Sequence, residues 1–205
     1  MIEAFFTSTF LVTLGEIGDK TQLLALMLAA RFRRPWIILL GIFFATLFNH
    51  TFAGLVGEWI RSYLHPDTLR WILGIAFIAM GLWVLIPDKL EEPNELKDTS
   101  AQKTAFAVFV ITFSTFFLAE MGDKTQLATI GLAARFDSLI AVIAGTTLGM
   151  MIADGPAIWI GTLAYKKLPV RLIHIIAAVF FIGIGALVLY FGLPAQEEII
   201  NQIPV

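Results

Sequence analysis

Two short stretches of this chain place charged residues inside segments that are otherwise strongly apolar. GEIGDKTQLLAL and AEMGDKTQLATI carry them in the same order: Glu16, Asp19, Lys20, Glu120, Asp123 and Lys124. Inserting a charged side chain into hydrocarbon costs roughly 2.5–3.5 kcal/mol, so six cost on the order of 15–20 kcal/mol. Small residues could hold helices together at far lower cost. The doubled motif therefore predicts a functional site.

The composition of the motif indicates which chemistry this site would perform. Four carboxylates against two ammonium groups leave an excess of two negative charges, which one divalent cation would neutralise. Carboxylate and amide oxygens favour hard ions such as Ca²⁺, Mg²⁺ or Mn²⁺, and the chain has no cysteine for softer metals. The same acids can take up protons when the metal leaves. We expect no resident cofactor, because the cation and the protons are cargo.

Neighbouring polar residues extend the candidate metal site. Asp154 is a fifth acid in an apolar segment and has no basic residue near it in the sequence. The predicted metal ligands are Glu16, Asp19, Glu120, Asp123, Asp154, Asn49, Gln22 and Gln126. Further candidates are His50, Thr21 and Thr125. A nitrogen ligand from His50 would favour Mn²⁺ over Ca²⁺. Lys20 and Lys124 are predicted to balance charge, because an ammonium group has only donors to offer.

The elements that would position these residues are membrane-spanning helices. The chain has 205 residues, of which 58% are hydrophobic and 15% are charged, as in an integral membrane protein. A spanning helix needs about 20 apolar residues. No short alternating strands of the barrel type are visible. Six segments fit a helical bundle: residues 4–30, 36–57, 69–87, 104–134, 139–161 and 171–193.

Helical periodicity predicts how the motif would be presented. On a continuous first helix, Glu16, Asp19 and Lys20 would share one face, because they are three and four residues apart. The second motif would do the same on the fourth helix. Gly18 and Gly122 lie beside the aspartates, where they would weaken the helix and let another backbone or an ion approach. His174 lies near a helix end, where we expect it to be solvated at the interface.

An internal repeat organises the chain. When the sequence is shifted by 104 residues, residues 16–32 match residues 120–136 at 12 of 17 positions. This predicts two three-helix units, residues 1–87 and 104–205, joined by a polar linker at 88–103. Because each unit has an odd number of helices, the second enters the membrane from the opposite side. The predicted fold is therefore an all-α membrane protein of two inverted three-helix repeats, whose motifs face one another.

Loop charges predict the orientation of this bundle in its lipid bilayer. One side collects nine basic residues, and the other collects three, Arg61, Arg70 and Arg135. The positive-inside rule then places the linker in the cytoplasm and both termini outside, in the cell's inner or plasma membrane. Neither the composition nor the motifs indicate a nucleic-acid partner, and the oligomeric state is left open.

The doubled motif Glu-x-Gly-Asp-Lys-Thr resembles the signature of the small GDT-type cation transporters, a family related to calcium/cation antiporters that includes bacterial manganese exporters. The resemblance covers essentially the whole chain. The residues that match the family motif without substitution are Glu16, Gly18, Asp19, Lys20, Thr21, Glu120, Gly122, Asp123, Lys124 and Thr125. What the resemblance implies is transport of Mn²⁺ and/or Ca²⁺ against protons. Because the positive loops define the cytoplasmic face and bacterial proton gradients are usually directed inward, we expect proton entry to drive the metal out of the cytoplasm.

Rival functions remain open at this point. An exporter of basic amino acids could use a similar inverted-repeat bundle, and metal binding without competition by lysine or arginine would argue against it. An intramembrane metal-dependent enzyme is a second rival, but the chain has no HExxH or DDxxD motif, so we predict that it is not an enzyme. A non-catalytic assembly factor would leave the cost of the embedded acids unexplained.

Overall fold

The computed structural model describes residues 1–86, 104–160 and 170–192, and the regular structure within these ranges is entirely helical. The predicted linker at 88–103 lies outside the described residues. In chain order the helices are α1 (Ile2–Glu16), α2 (Lys20–Phe32), α3 (Pro35–Tyr63), α4 (Pro66–Val84), α5 (Ala105–Glu120), α6 (Lys124–Arg135), α7 (Leu139–Ile160) and α8 (Val170–Phe191).

Several of these helices are long and apolar enough to cross a membrane. Four qualify as single helices: α3, α4, α7 up to Trp159, and α8 from Arg171. The pair α5 and α6 gives a fifth candidate if it is counted as one span, although its two parts are bent by 72°. Proline stands at the start of α3 and α4, where its missing N–H costs nothing. The described chain is thus an all-helical membrane protein with four or five candidate spans.

The expectation of continuous helices through the two motifs is wrong. Helix α1 ends at Glu16 and α2 begins at Lys20, so the segment predicted at 4–30 is two helices. The segment predicted at 104–134 is likewise divided, between Glu120 and Lys124. The motif acids and lysines therefore do not share one helical face. The glutamates end one helix of each pair, and the aspartates stand immediately before the next.

Glycine is the physical reason for both breaks. Gly18 has φ 92° and Gly122 has φ 77°, in the left-handed region that only glycine adopts without strain. The Gly18 N–H donates to the side-chain oxygen of Gln22 at 3.0 Å, and the Gly122 N–H donates to that of Gln126 at 2.7 Å. Each glutamine thus satisfies a backbone group that the break releases from the helix ladder.

The helices of the two halves pack in matching ways. Helix α1 packs on α7 as α5 packs on α3, and α4 packs on α8. Glycines allow close approach in both halves: a Cβ on Gly41 would lie 2.7 Å from the Cβ of Thr112, and one on Gly145 would lie 3.0 Å from the Cβ of Ser8. Under the shift of 104 residues, Gly41 corresponds to Gly145 and Ser8 corresponds to Thr112. Equivalent positions thus make equivalent contacts.

The distribution of side chains is that of a protein surrounded by lipid. Large apolar side chains lie on the outside, among them Trp36, Phe48, Phe52, Trp71 and Tyr190. The acids of the two motifs are buried in the interior instead. The acids that flank the two helix breaks thus lie inside the protein, away from its apolar outer surface.

Candidate cation-binding site

Three carboxylates from the two motifs converge in the interior. Glu16, Asp19 and Asp123 each offer an oxygen, and these three atoms lie within 4.8 Å of one another. Their exposed fractions are 1%, 2% and 7%. Calcium–oxygen distances are about 2.3–2.6 Å, so a single ion can reach oxygens up to about 5 Å apart. The three groups are therefore close enough to ligate one cation together.

Two further acids adjoin this group. Glu120 is 1% exposed and Asp154 is 0% exposed. Both lie close enough to Glu16 to repel it electrostatically. One oxygen of Glu120 and both oxygens of Asp154 have no hydrogen-bond partner among the described residues. The structure therefore brings together all five predicted acids, and Glu120, Asp123 and Asp154 each keep at least one acceptor atom without a hydrogen-bond partner among the described residues.

Each motif lysine lies against the aspartate of the other motif. The Lys20 ammonium is 3.0 Å from a carboxylate oxygen of Asp123, and it donates a hydrogen bond to that oxygen. The Lys124 ammonium is 3.7 Å from a carboxylate oxygen of Asp19. These two contacts tie the second half to the first at the site. When all five acids are ionised, they outnumber the two lysines, and the resulting negative charge attracts a cation.

In this structure the threonines and glutamines of the motifs hydrogen-bond to other residues of the motifs. Thr21 donates to Glu16 at 3.0 Å, and Thr125 donates to Glu120 at 3.2 Å. These bonds orient the two glutamates at the ends of α1 and α5. The side-chain oxygens of Gln22 and Gln126 accept the glycine N–H groups of the breaks. A role of either glutamine as a metal ligand would require its oxygen to serve the ion as well.

The two predicted residues on α3 lie outside the group of three carboxylates. Asn49 is buried, and its amide donates to the carbonyl of Phe117 on α5 at 3.0 Å. His50 is 1% exposed, and its Nδ1 has no hydrogen-bond partner among the described residues. These residues face the interior, and their part in cation binding stays a prediction.

The helix ends around the acids add a favourable field. Glu16 and Glu120 are the last residues of α1 and α5, and a helix C-terminus carries a partial negative charge. A cation held beside these glutamates would be stabilised by both helix ends. Asp19 and Asp123 stand at the N-termini of α2 and α6, where the partial positive charge stabilises a carboxylate. Broken helices of this kind are how transporters present ion sites within a membrane.

One residue near the site was not identified from the sequence. His174 on α8 was expected to be solvated at a helix end, but it is 8% exposed and its Nε2 lies 3.0 Å from the carbonyl oxygen of Ile17. Ile17 is in the first helix break. The contact joins residues 157 positions apart, and no local pattern predicts such a pairing.

Comparison with known proteins identifies the family to which the chain is similar. The family described as "Divalent cation/proton antiporter GDT1" matches residues 4–92 and 108–196. A Vibrio cholerae protein described as "Putative manganese exporter" is 45% identical over 181 residues, covering 88% of this chain and 87% of that protein. A GDT1-like protein of Synechocystis is 28% identical over 196 residues, covering 88% and 94% of the two chains.

More distant relatives occur in plants. GDT1-like protein 3 of Arabidopsis thaliana is 26% identical over 205 residues, covering 89% of this chain and 69% of that protein. No solved structure matches the chain. The family match covers both motif regions. The chain belongs to the GDT1 family, and it is a membrane transporter of divalent cations and not an enzyme.

Proposed function

We propose that this protein exports Mn²⁺ from the cytoplasm in exchange for protons, and that Ca²⁺ can take the place of Mn²⁺. The observation that carries the proposal is the buried group formed by Glu16, Asp19 and Asp123, whose oxygens lie within 4.8 Å of one another. The similar Vibrio cholerae protein, described as "Putative manganese exporter", supports Mn²⁺ as the cargo. All three ligands are hard oxygens, which also suit Ca²⁺.

The remaining polar residues of the proposed site are given different roles. Glu120 and Asp154 supply further carboxylates that take up protons or join the coordination as the site changes shape. Asn49, Gln22 and Gln126 are proposed to add amide oxygens. His50 is a proposed ligand or proton carrier, which would help the site to hold Mn²⁺. Thr21 and Thr125 are proposed to orient the glutamates.

Lys20 and Lys124 are proposed to reduce the net negative charge of the site when no cation is bound, which lowers the cost of keeping it buried in the membrane. Each ammonium lies beside an aspartate that a cation would also approach. An arriving divalent cation repels the lysines and competes for the same oxygens. Cation binding would therefore release the lysine–aspartate pairs and loosen the connection between the two halves.

The proposed coupling follows from the shared use of the carboxylates. Protons and metal ions compete for the same oxygens, so a site loaded with protons cannot hold the cation tightly. A proton gradient directed inward would load the site from outside and drive the metal out. No separate proton pathway is needed for this exchange.

The proposed arrangement in the membrane has six spans in two inverted repeats, residues 1–87 and 104–205. Each broken pair, α1 with α2 and α5 with α6, would form one span. We propose that the linker at 88–103 lies in the cytoplasm and both termini outside, which the basic loop residues support through the positive-inside rule. The matching contacts of α1 on α7 and α5 on α3 support this symmetry.

The decisive experiment measures radioactive Mn²⁺ and Ca²⁺ flux in proteoliposomes with an imposed pH gradient. Metal movement driven up its own gradient by the pH gradient is the expected result. Flux that follows only the metal gradient would leave a uniporter or channel. Inhibition of flux by lysine or arginine would favour a basic amino-acid exporter instead. A variant that carries Asp67→Asn, an exposed acid at the start of α4, is the matched control.

A further inference from the structure

The first helix break is held by a side chain from the end of the other half of the chain. His174 of α8 lies with its Nε2 3.0 Å from the carbonyl oxygen of Ile17. A carbonyl can only accept, so the imidazole must donate from Nε2. Ile17 stands between Glu16 and the Gly18–Asp19 turn, so this hydrogen bond anchors the backbone between two proposed cation ligands.

The second helix break has a different environment. Met121, which corresponds to Ile17 under the shift of 104 residues, is 57% exposed, and Gly122 is exposed as well. The residue that corresponds to His174 is Arg70 on α4. Its guanidinium donates to the carbonyl of Leu189 near the end of α8. The two breaks have the same sequence motif but differ in exposure. Ile17 and Gly18 of the first break are half-buried beside α8, whereas Met121 and Gly122 of the second are exposed.

Helices α4 and α8 pack so closely that we expect them to move together as a rigid body. A Cβ on Gly74 of α4 would lie 3.1 Å from the carbonyl oxygen of Gly185 of α8, and one on Gly185 would lie 2.7 Å from that of Gly74. The Arg70–Leu189 hydrogen bond joins the same two helices. Helix α8 also packs on α1, and α4 packs on α6. The His174 contact is therefore a link between the α4–α8 pair and the cation site.

We propose that His174 is a positioning residue that holds the first helix break closed against α8, and that this hydrogen bond opens when the site is exposed on that side. The inference rests on the proposed transport function, which requires the site to open to each side in turn. The structure then represents the state in which the first break is closed. Packed interfaces change between discrete arrangements, so one hydrogen bond can bias the population of each state.

Cysteine labelling tests the proposal, because the chain has no cysteine of its own. Ile17→Cys and Met121→Cys are introduced separately. Membranes that carry each variant are permeabilised, so that a water-soluble maleimide reaches both faces of the protein. Adding His174→Leu should raise the labelling rate at position 17 about fivefold, the population change that follows from losing one hydrogen bond. The rate at position 121 should not rise. His174→Gln keeps a donor and should restore slow labelling at position 17.

The outcomes separate this inference from the transport function itself. The proposal is overturned if His174→Leu leaves the labelling rate at position 17 unchanged. It is also overturned if the rate rises equally at positions 17 and 121, because that result would show a general loosening of the protein. If the protein does not transport but position 17 responds as expected, the closed break stands and the proposed function fails. In active protein, His174→Leu should alter turnover, and His174→Gln should return it toward the original value.

Discussion

The ammonium of Lys20 lies 3.0 Å from the carboxylate of Asp123, so the lysine of the first motif neutralises the aspartate of the second. Lys124 and Asp19 form the reverse pair at 3.7 Å. Neither motif balances its own charge, and the site is complete only when both halves meet. This explains why two copies of one motif stand in a single chain. It also suggests that cation binding changes the contact between the halves.

The two lysines should differ in their effect on stability. The Lys124 side chain is 6% exposed and its partner Asp19 is 2% exposed, whereas Lys20 is 37% exposed. Lys124→Met removes one partner of a buried ion pair, a change that typically costs about 3–5 kcal/mol. Lys20→Met should cost less, because the Lys20 side chain is only partly buried. Thermal unfolding in detergent compares the two variants.

The combined variant Lys124→Met with Asp19→Asn provides the control for that prediction. Because it removes both charges, it should regain much of the lost stability while remaining defective in transport. Equal losses of stability for Lys20→Met and Lys124→Met would contradict the difference in burial. Transport and pH dependence that are unchanged in both lysine variants would show that the lysines have a structural role only.

Neutralising the three convergent acids should weaken cation binding most strongly. Glu16→Gln, Asp19→Asn and Asp123→Asn each remove one charged ligand atom from the group within 4.8 Å. The expected loss of affinity is about 10–100-fold for each, the usual strength of one charge-assisted contact. Direct titration of the purified protein with Mn²⁺ gives the affinity. Asp67→Asn, an exposed acid of the same type, should bind as the unaltered protein does.

Asp154 should be required for transport but not for stability. Its carboxylate is 0% exposed, and neither oxygen has a hydrogen-bond partner among the described residues. Asp154→Asn replaces a group that is expensive to bury when charged with a neutral one of the same shape. Flux should fall while the free energy of unfolding is kept or increased. A variant that unfolds more easily and still transports would assign Asp154 to packing.

Much of this site follows from the sequence because its signals are local or repeated. The segment lengths predict helices, and the 104-residue repeat predicts that two sets of acids meet. The placement of the motif residues on one continuous helical face is wrong because a periodicity of 100° per residue assumes an uninterrupted helix. Gly18 before Asp19 could have indicated the break: glycine favours the position after a helix, and aspartate the position before the next.

Other features of the site have no signal in a single sequence. The exchange of partners between Lys20 and Asp123 depends on how two distant segments are oriented in space. The hydrogen bond from His174 to Ile17 joins an end of α8 to the first break, and the matching residue Arg70 makes a different contact. Such contacts arise from the packing of whole helices and not from local pattern.

The positive φ of the second break gives a prediction about backbone strain. Gly122 has φ 77°, and a Cβ added there would meet nothing within 4 Å. Gly122→Ala should therefore destabilise through the backbone alone, by about 1–2 kcal/mol. Gly183→Ala is the matched control, because a Cβ there also meets nothing within 4 Å and its helical backbone tolerates alanine. Thermal unfolding that is equal in the two variants would remove the strain argument.

Cation affinity should fall as the pH is lowered, because protons and the metal occupy the same carboxylates. Where binding displaces one proton, the apparent affinity falls by about tenfold per pH unit, and by about 100-fold where it displaces two. Calorimetric titration with Mn²⁺ in buffers of different ionisation enthalpy, between about pH 5 and pH 8, counts the displaced protons directly. Asp154→Asn removes one of the five clustered acids and should release fewer protons per bound ion, whereas Asp67→Asn should release the original number. Affinity that is constant over this pH range would exclude competition at the site and, with it, the exchange of metal for protons.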